Sequence, residues 1–432
     1  MNYTAISPYS ILTWFHARMP HPFAHVTPLM LYIHWPFCAA KCHYCDFVAM
    51  QDHHGFARQY HEALCNEIRS FVASRPHTLG APIKTIFLGG GTPSLYPLPL
   101  LKELFTLLRS LFDLSGVEEI SLEVNPGGQT AEHFETWCDV GINRLSVGVQ
   151  VLDDAILAKL NRPQKKAEVL EFFERAPHYI QNLSADCIIG LPGVDDACWQ
   201  ETVETTISWP LKHASLYFLT IHENTPLYHG VKAGTITIPQ DEAVLSQYAW
   251  TVARYAQAGL AQYEISNFAL SGFESKHNRG YWNQIPYYGF GIGAASYDGL
   301  YRCVNKKKLT GYLKHFVLPT ADPLLWYGSC ERLTHEQQVL EELMLGLRQR
   351  EGVGLHRMVY LCPLFQSQVL REIWQRLVGD GYLEASQTHL RLTPKGQIFE
   401  NEVVVQLCGG LEGDHQNCAR PIRQNMNKIQ KV

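Results

Sequence analysis

From residue 30 onward, short apolar runs alternate with longer amphipathic stretches, and each apolar run stops at Gly, Asn, Pro or a polar residue. An amphipathic helix between two apolar runs returns the chain to the same edge of a sheet, so successive runs become parallel neighbours. The pattern predicts strands over 30–34, 84–88, 119–124, 144–149, 184–189 and 214–219, with helices over 56–72, 99–112, 131–140 and 197–207 between them. Six such repeats make an α/β fold, a partial (β/α)6 TIM-like barrel that stops short of the closed eight-stranded form. Cysteines follow the first run, glycines 89–91 the second, and Asn125 and Pro126 the third. In parallel α/β architectures that rim holds the ligands, because the βα loops are free to vary there.

At 432 residues the chain exceeds what one core usually serves, and the alternation ends near residue 324. Helical stretches at 336–348 and 366–378, a Gly-Asp-Gly-Tyr turn and a hairpin-like 383–392 predict a small C-terminal winged-helix-like α+β domain over 324–408. Its second helix carries Arg371 and Arg376 against Glu372, too little positive charge for phosphate contacts to dominate, so a packing or lid role is expected. The barrel is expected over 30–323, with an N-terminal extension over 1–29 and a disordered tail over 409–432. Met19 lies a short distance ahead of the first strand and is the expected start of translation.

The 36 basic residues do not outnumber the 41 acidic ones, which argues against nucleic acid as a partner. Every apolar run breaks well before the roughly 20 residues of a transmembrane helix. No export signal is legible, so a cytoplasmic location is expected, with transient contact at the inner membrane surface. There the 12 cysteines are expected as thiols or metal ligands rather than structural disulfides. Cys65, Cys138, Cys187 and Cys198 sit singly among apolar neighbours and are expected to act as small buried hydrophobes.

Cys38, Cys42 and Cys45 put three thiols on one short loop, and thiolates are the usual ligands of iron-sulfur clusters. Three thiols for four irons leave one iron open to a small chelating molecule, the opposite of a closed structural zinc site. Zinc held by the three thiols with His43 or His34 is the local alternative.

CxxxCxxC after a first strand resembles the signature of the radical SAM superfamily. The resemblance extends through Tyr32-Ile33-His34-Trp35-Pro36-Phe37-Cys38, Leu88-Gly89-Gly90-Gly91-Thr92-Pro93-Ser94, Glu123-Val124-Asn125-Pro126, Asn143-Arg144-Leu145-Ser146-Val147-Gly148-Val149-Gln150 and Asp186 with Gly190-Leu191-Pro192-Gly193. Together these look like the oxygen-independent coproporphyrinogen III oxidase branch, over about residues 30 to 400. The resemblance implies a 4Fe-4S cluster on Cys38, Cys42 and Cys45, and S-adenosylmethionine held by Tyr32, Phe47, Gly90, Gly91, Thr92, Glu123, Gln150, Arg162 and Asp186. Arg162 is the expected partner of the methionine carboxylate, since a guanidinium forks onto such a group. Where the branch commonly has Gly-Arg-x-His, this chain has Asn161-Arg162-Pro163-Gln164.

True coproporphyrinogen oxidases resemble CxxxCxxCxC, and here the fourth cysteine position is Phe47. The chain also carries His277-Asn278-Arg279-Gly280-Tyr281-Trp282, which resembles the HNxxYW motif of radical SAM haem chaperones. That resemblance implies haem as cargo, His277 as its axial ligand, Tyr281 and Trp282 as aromatic surface against the porphyrin, and apo-haem proteins such as respiratory enzymes as receivers. The alternatives are an enzyme that oxidatively decarboxylates coproporphyrinogen III, and a binding module that keeps the cluster as a structural element.

Overall fold

The computed structural model describes residues 29–51, 55–362 and 368–412. The six expected parallel strands are present in sequence order: β1 Leu29–Trp35, β2 Ile83–Gly90, β3 Glu119–Val124, β4 Arg144–Gln150, β5 Asn182–Ile189 and β6 His213–Phe218. The crossovers are carried by α1 Ala57–Ser74, α2 Leu98–Leu111, α3 Ala131–Val140, α4 Lys166–Arg175 and α5 Asp196–Ser208. Their buried stripes, such as Leu100, Leu101, Leu104, Phe105 and Leu108 of α2, pack on the outward strand positions Leu31, Ile33, Ile86 and Leu88 in one core.

The edges differ from the expected six-strand sheet. Beyond β6 lie the antiparallel β7 Ala261–Glu264 and β8 Asn267–Ala269. On the far side of β1, the strand β9 Tyr287–Phe290 adds a seventh parallel member, with Tyr32 opposite Gly289. It is followed outward by the antiparallel β10 Ala295–Tyr297, β11 Tyr301–Asn305 and β12 Tyr327–Arg332. The full order is β12-β11-β10-β9-β1-β2-β3-β4-β5-β6-β8-β7. These strands are only three to six residues long and most pair antiparallel, so the βα alternation gives no sign of them. Because β12 pairs with β11, the chain remains in the main sheet past residue 324. Cys303 and Cys330 face each other across that pair as a disulfide, where thiols were expected.

The strand faces explain why the sheet encloses a site. Along β4, Leu145, Val147 and Val149 face the helices, while Arg144, Ser146, Gly148 and Gln150 alternate onto the other face. Closed barrels fill the second face with branched apolar residues. Here it carries Thr85, Glu119, Ser121, Glu123, Ser184 and Asp186, and it is hollow towards the loop end.

The segment α6 Lys276–Trp282 plugs the base. Glu119 of β3 accepts from the backbone N–H groups of Lys276 and His277, at 2.9 and 3.1 Å, which fixes where this short helix begins. Behind it stands a second core, built from α7 His335–Arg348, α8 Gln368–Gly379, α9 Glu400–Glu412 and a three-stranded sheet of Val353–Gly354, His389–Leu392 and Leu383–Ala385. This helix-and-hairpin unit has the winged-helix-like arrangement expected. The α8 prediction began at 366, outside the described residues, as do residues 1–28 with Met19. The predicted tail overlaps α9 as far as Glu412, and 413–432 lie outside the described residues. Of the four single cysteines, Cys65 and Cys187 are buried and Cys198 is half-buried. Cys138 is exposed, because it falls on the outer side of α3.

Candidate functional site

A cavity of about 520 Å³ opens at the C-terminal ends of the parallel strands and runs down to α6. Cys38, Cys42 and Cys45 all line its upper wall. Their loop is pinned by the segment after β4: the His43 N–H donates to the Leu160 carbonyl at 2.9 Å, and Asn161 Nδ2 to the Lys41 carbonyl at 2.9 Å. Burial raises the thiol pKa of Cys38, and that of Cys45 to about 11, so thiolates here call for a positive partner such as iron. Among the described residues no three His, Cys, Asp or Glu side chains converge on a single metal ion. Of the two histidines of the zinc alternative, only His34 has both ring nitrogens engaged. His43 Nδ1 is 3.0 Å from the Lys159 carbonyl, while His34 is bonded to the Val48 carbonyl at 2.8 Å and the Tyr32 hydroxyl at 3.2 Å.

The residues expected to hold S-adenosylmethionine converge on the same cavity: Tyr32, Phe47, Gly90, Gly91, Thr92, Glu123, Gln150, Arg162 and Asp186 are all on its wall. Gly90 has φ of 114°, and a Cβ there would fall 2.4 Å from the His34 ring, so only glycine lets the backbone turn at this point. Its N–H donates to Glu123 Oε2 at 3.0 Å. Burial raises the Glu123 pKa to about 7. Asp186 is likewise raised by burial, and it accepts from Ser146 and Ser184 hydroxyls at 2.7 and 2.9 Å. A register shift after Gly148 re-aims Gln150, whose φ is 65°. Phe47 is 60% exposed and stands at the mouth.

Arg162 is buried and already heavily engaged. It donates to the Gly148 carbonyl and Asn125 Oδ1, both at 2.8 Å, to the Tyr44 hydroxyl at 3.2 Å and to Cys42 Sγ at 3.5 Å. Nε alone has no partner. In this arrangement the guanidinium ties the cysteine loop to β3 and β4, and a carboxylate would have to displace one of these acceptors. Gln164, where the branch has His, donates to the same Gly148 carbonyl at 2.7 Å.

The HNxxYW residues divide. His277 and Tyr281, one turn apart on α6, both face the cavity. His277 is fully buried, which lowers its pKa to about 3 and keeps the imidazole neutral. Both ring nitrogens are engaged, Nδ1 with the Thr85 hydroxyl at 2.7 Å and Nε2 with the Tyr281 hydroxyl at 2.9 Å. His277 was expected as an axial haem ligand, and both of its ring nitrogens hold protein partners here. Trp282 is not on the cavity wall. It points to the C-terminal unit, with the Arg348 guanidinium 4.7 Å from its ring centre.

Residues 32–206 match the radical SAM superfamily and residues 333–399 the HemN C-terminal domain. The protein named heme chaperone HemW in Bacillus subtilis is 35% identical over 383 residues, which cover 88% of this chain and 99% of that protein. The chain belongs to the HemW family of radical SAM proteins. HemW of Lactococcus lactis is 31% identical, covering 87% of this chain and 96% of its own. The radical S-adenosyl methionine domain-containing protein 1, mitochondrial, of Danio rerio is 31% identical, with 90% and 89% covered. Coproporphyrinogen III oxidase (HemN) from Escherichia coli, a solved structure, shares the fold with a TM-score of 0.77 at 21% identity, covering 93% of both chains.

Membership of the radical SAM superfamily implies a 4Fe-4S cluster and S-adenosylmethionine. Three thiols on one wall of a cavity with polar sides fit such a pair. Sequence reasoning missed several residues of this HemW-family site: Tyr44, Asn125, Arg144, Ser215 and Tyr217 also line the cavity. Tyr44 and Asn125 stood inside motifs already singled out. So did Arg144, whereas Ser215 and Tyr217 could have been found as residues at alternate positions of β6.

Proposed function

We propose that this chain binds haem in the cytoplasm and passes it to apo-haem proteins such as respiratory enzymes. The cluster would sit on Cys38, Cys42 and Cys45, and S-adenosylmethionine would lie in the cavity beside it. The observation that carries the reading is the match to a protein named a heme chaperone along 99% of that protein's length. When bound, the cluster supplies one-electron reducing chemistry to the sulfonium next to it. The chain's own residues then have separate tasks. Gly90, Gly91 and Thr92 leave backbone room for the methionine end, Glu123, Gln150 and Asp186 offer oxygen and amide groups, and Arg162 holds the loop that carries the thiols. Nothing in the structure supports contact with a membrane surface, and among the described residues no helix is long and apolar enough to cross one.

His277 remains the proposed haem ligand, through a specific exchange. With the proton on Nδ1 donated to Thr85, the Nε2 lone pair accepts the Tyr281 O–H proton, and iron would take the place of that proton. The tyrosine is therefore a competitor for the ligand. A cavity of about 520 Å³ falls in the range of a single small-ligand site. Haem on His277 and S-adenosylmethionine should thus exclude each other.

The test is a haem titration of the anaerobically reconstituted protein with and without saturating S-adenosylmethionine, followed by the Soret band. The reading expects binding that weakens when S-adenosylmethionine is present and is lost in His277→Ala. Unchanged haem binding in His277→Ala would place the ligand elsewhere. Turnover of coproporphyrinogen by a chain that binds no haem would replace the chaperone with the oxidative decarboxylase.

A further inference from the structure

We infer that the base of the barrel contains a second ligand subsite, which takes a carboxylate group through Arg144. Arg144 opens β4 and is 1% exposed, yet its side chain lies on the cavity wall. Among the described residues it makes no ion pair with a carboxylate. Its Nε–H has no partner. Its one hydrogen bond runs from NH2 to His213 Nδ1 at 3.3 Å, and that nitrogen is contested by the Ser184 hydroxyl at 2.8 Å. Burial holds His213 neutral, so Nδ1 has one lone pair to give. A guanidinium with five N–H groups is thus buried with at most one acceptor of its own.

The carboxylates near it are committed to other donors. Glu119 is spent on the start of α6, where it accepts from the Lys276 and His277 N–H groups and the Ser275 hydroxyl. Glu123 receives the Gly90 N–H, and Asp186 receives the Ser146 and Ser184 hydroxyls. Arg162, by contrast, has four acceptors in place, so the two buried arginines of the cavity are not equivalent. Glu123 and Asp186 lie within electrostatic reach of Arg144 but form no ion pair with it, so what is left open is its N–H groups, and a carboxylate can meet these through two parallel N–H···O bonds. Ser146, Ser215, Tyr217 and Asn278 on the same wall could bond the rest of such a ligand. From Arg144 to Gln150 is roughly 20 Å along the strand, so the subsite lies at the far end of β4 from Gln150, with Glu123 and Asp186 between the two levels. The ligand class is an alkyl carboxylate that reaches the barrel floor, and the inference holds whether or not the chain carries haem.

Propionate is the probe, with propionamide as its neutral counterpart, at constant ionic strength on the full chain under anaerobic conditions. Propionate is expected to raise the melting temperature saturably and propionamide to leave it unchanged. The response should vanish in Arg144→Gln and persist in Arg162→Gln. Equal effects of the two probes, or a propionate response that survives in Arg144→Gln, would overturn the subsite. If Arg144→Gln does not fold, the parent decides by crystallography. Propionate must then lie against the Arg144 guanidinium in a soaked crystal, and density only at Arg162, or none, overturns the inference.

Discussion

A methyl group at Gly148 would lie 2.4 Å from the Arg162 terminal nitrogen and 2.9 Å from Gln150 Nε2. The atoms that must move are the ends of side chains, so Gly148→Ala should fold yet displace the residues around the ligand. We expect S-adenosylmethionine affinity to fall roughly 5- to 150-fold, if about 1–3 kcal/mol of such overpacking is felt in binding. Calorimetric titration checks this, and unchanged affinity would separate Arg162 from the ligand. Tyr281→Phe removes the proton that occupies His277 Nε2 while keeping the ring, so haem should bind more tightly than to the parent. Weaker binding would mean that the hydroxyl helps haem rather than competes with it. At this scale the sequence named the cysteines and the polar residues around them, because Cys38, Gly90, Glu123 and Asp186 stand in ordered motifs beside strand ends. It could not reveal that both nitrogens of His277 are engaged, since Thr85 is 192 positions away.

The placement of α6 depends on elements at both of its ends. Its start hangs on Glu119, and its last residue, Trp282, lies under Arg348 of α7, which also pairs with the fully buried Glu264 of β7 at 2.7 Å. That contact is close without hydrogen-bond alignment, so its strength is mainly electrostatic. Arg348→Ala leaves Glu264 without its cation and should cost roughly 2–4 kcal/mol, read by chemical denaturation. A loss below about 1 kcal/mol would show that the C-terminal unit does not brace the floor of the site. Glu67 of α1 plays a similar tying role, accepting from the Gly291 N–H, Asn305 Nδ2 and the Tyr312 hydroxyl at 2.7, 2.8 and 2.6 Å. Burial raises its pKa to about 7, so between the unfolded carboxylate range and pH 7 the folded state holds the extra proton. Its contribution is full below the unfolded pKa and is lost as pH rises through about 7. Glu67→Gln should therefore flatten the decline in melting temperature between pH 5 and 8, and an identical decline in the variant would count against this proton. Periodicity made the six βα units legible, but β7 to β12 are too short to carry a period of their own, and they join the sheet through β8 on β6 and β9 on β1, pairings distant in sequence.

Across the whole molecule, one apolar face of the sheet builds the core and the other, polar face builds the site. The alternation was readable as architecture, while the hollow interior required seeing Arg144, Ser146, Asp186 and Ser215 brought onto one side. Cys38→Ala, Cys42→Ala and Cys45→Ala should each abolish the visible cluster absorption. Cys65→Ala, on α1 and outside the cavity, should keep it. A full cluster in any of the first three would refute the ligand set. The central claim is that a cluster-bearing barrel carries haem on the α6 histidine, and the most direct measurement is the Soret spectrum of reconstituted parent and His277→Ala protein titrated with haem. The account predicts a saturable Soret band in the parent and its loss in the variant with the cluster absorption retained. A parent without a haem Soret band, or a variant whose band matches the parent's, would contradict it.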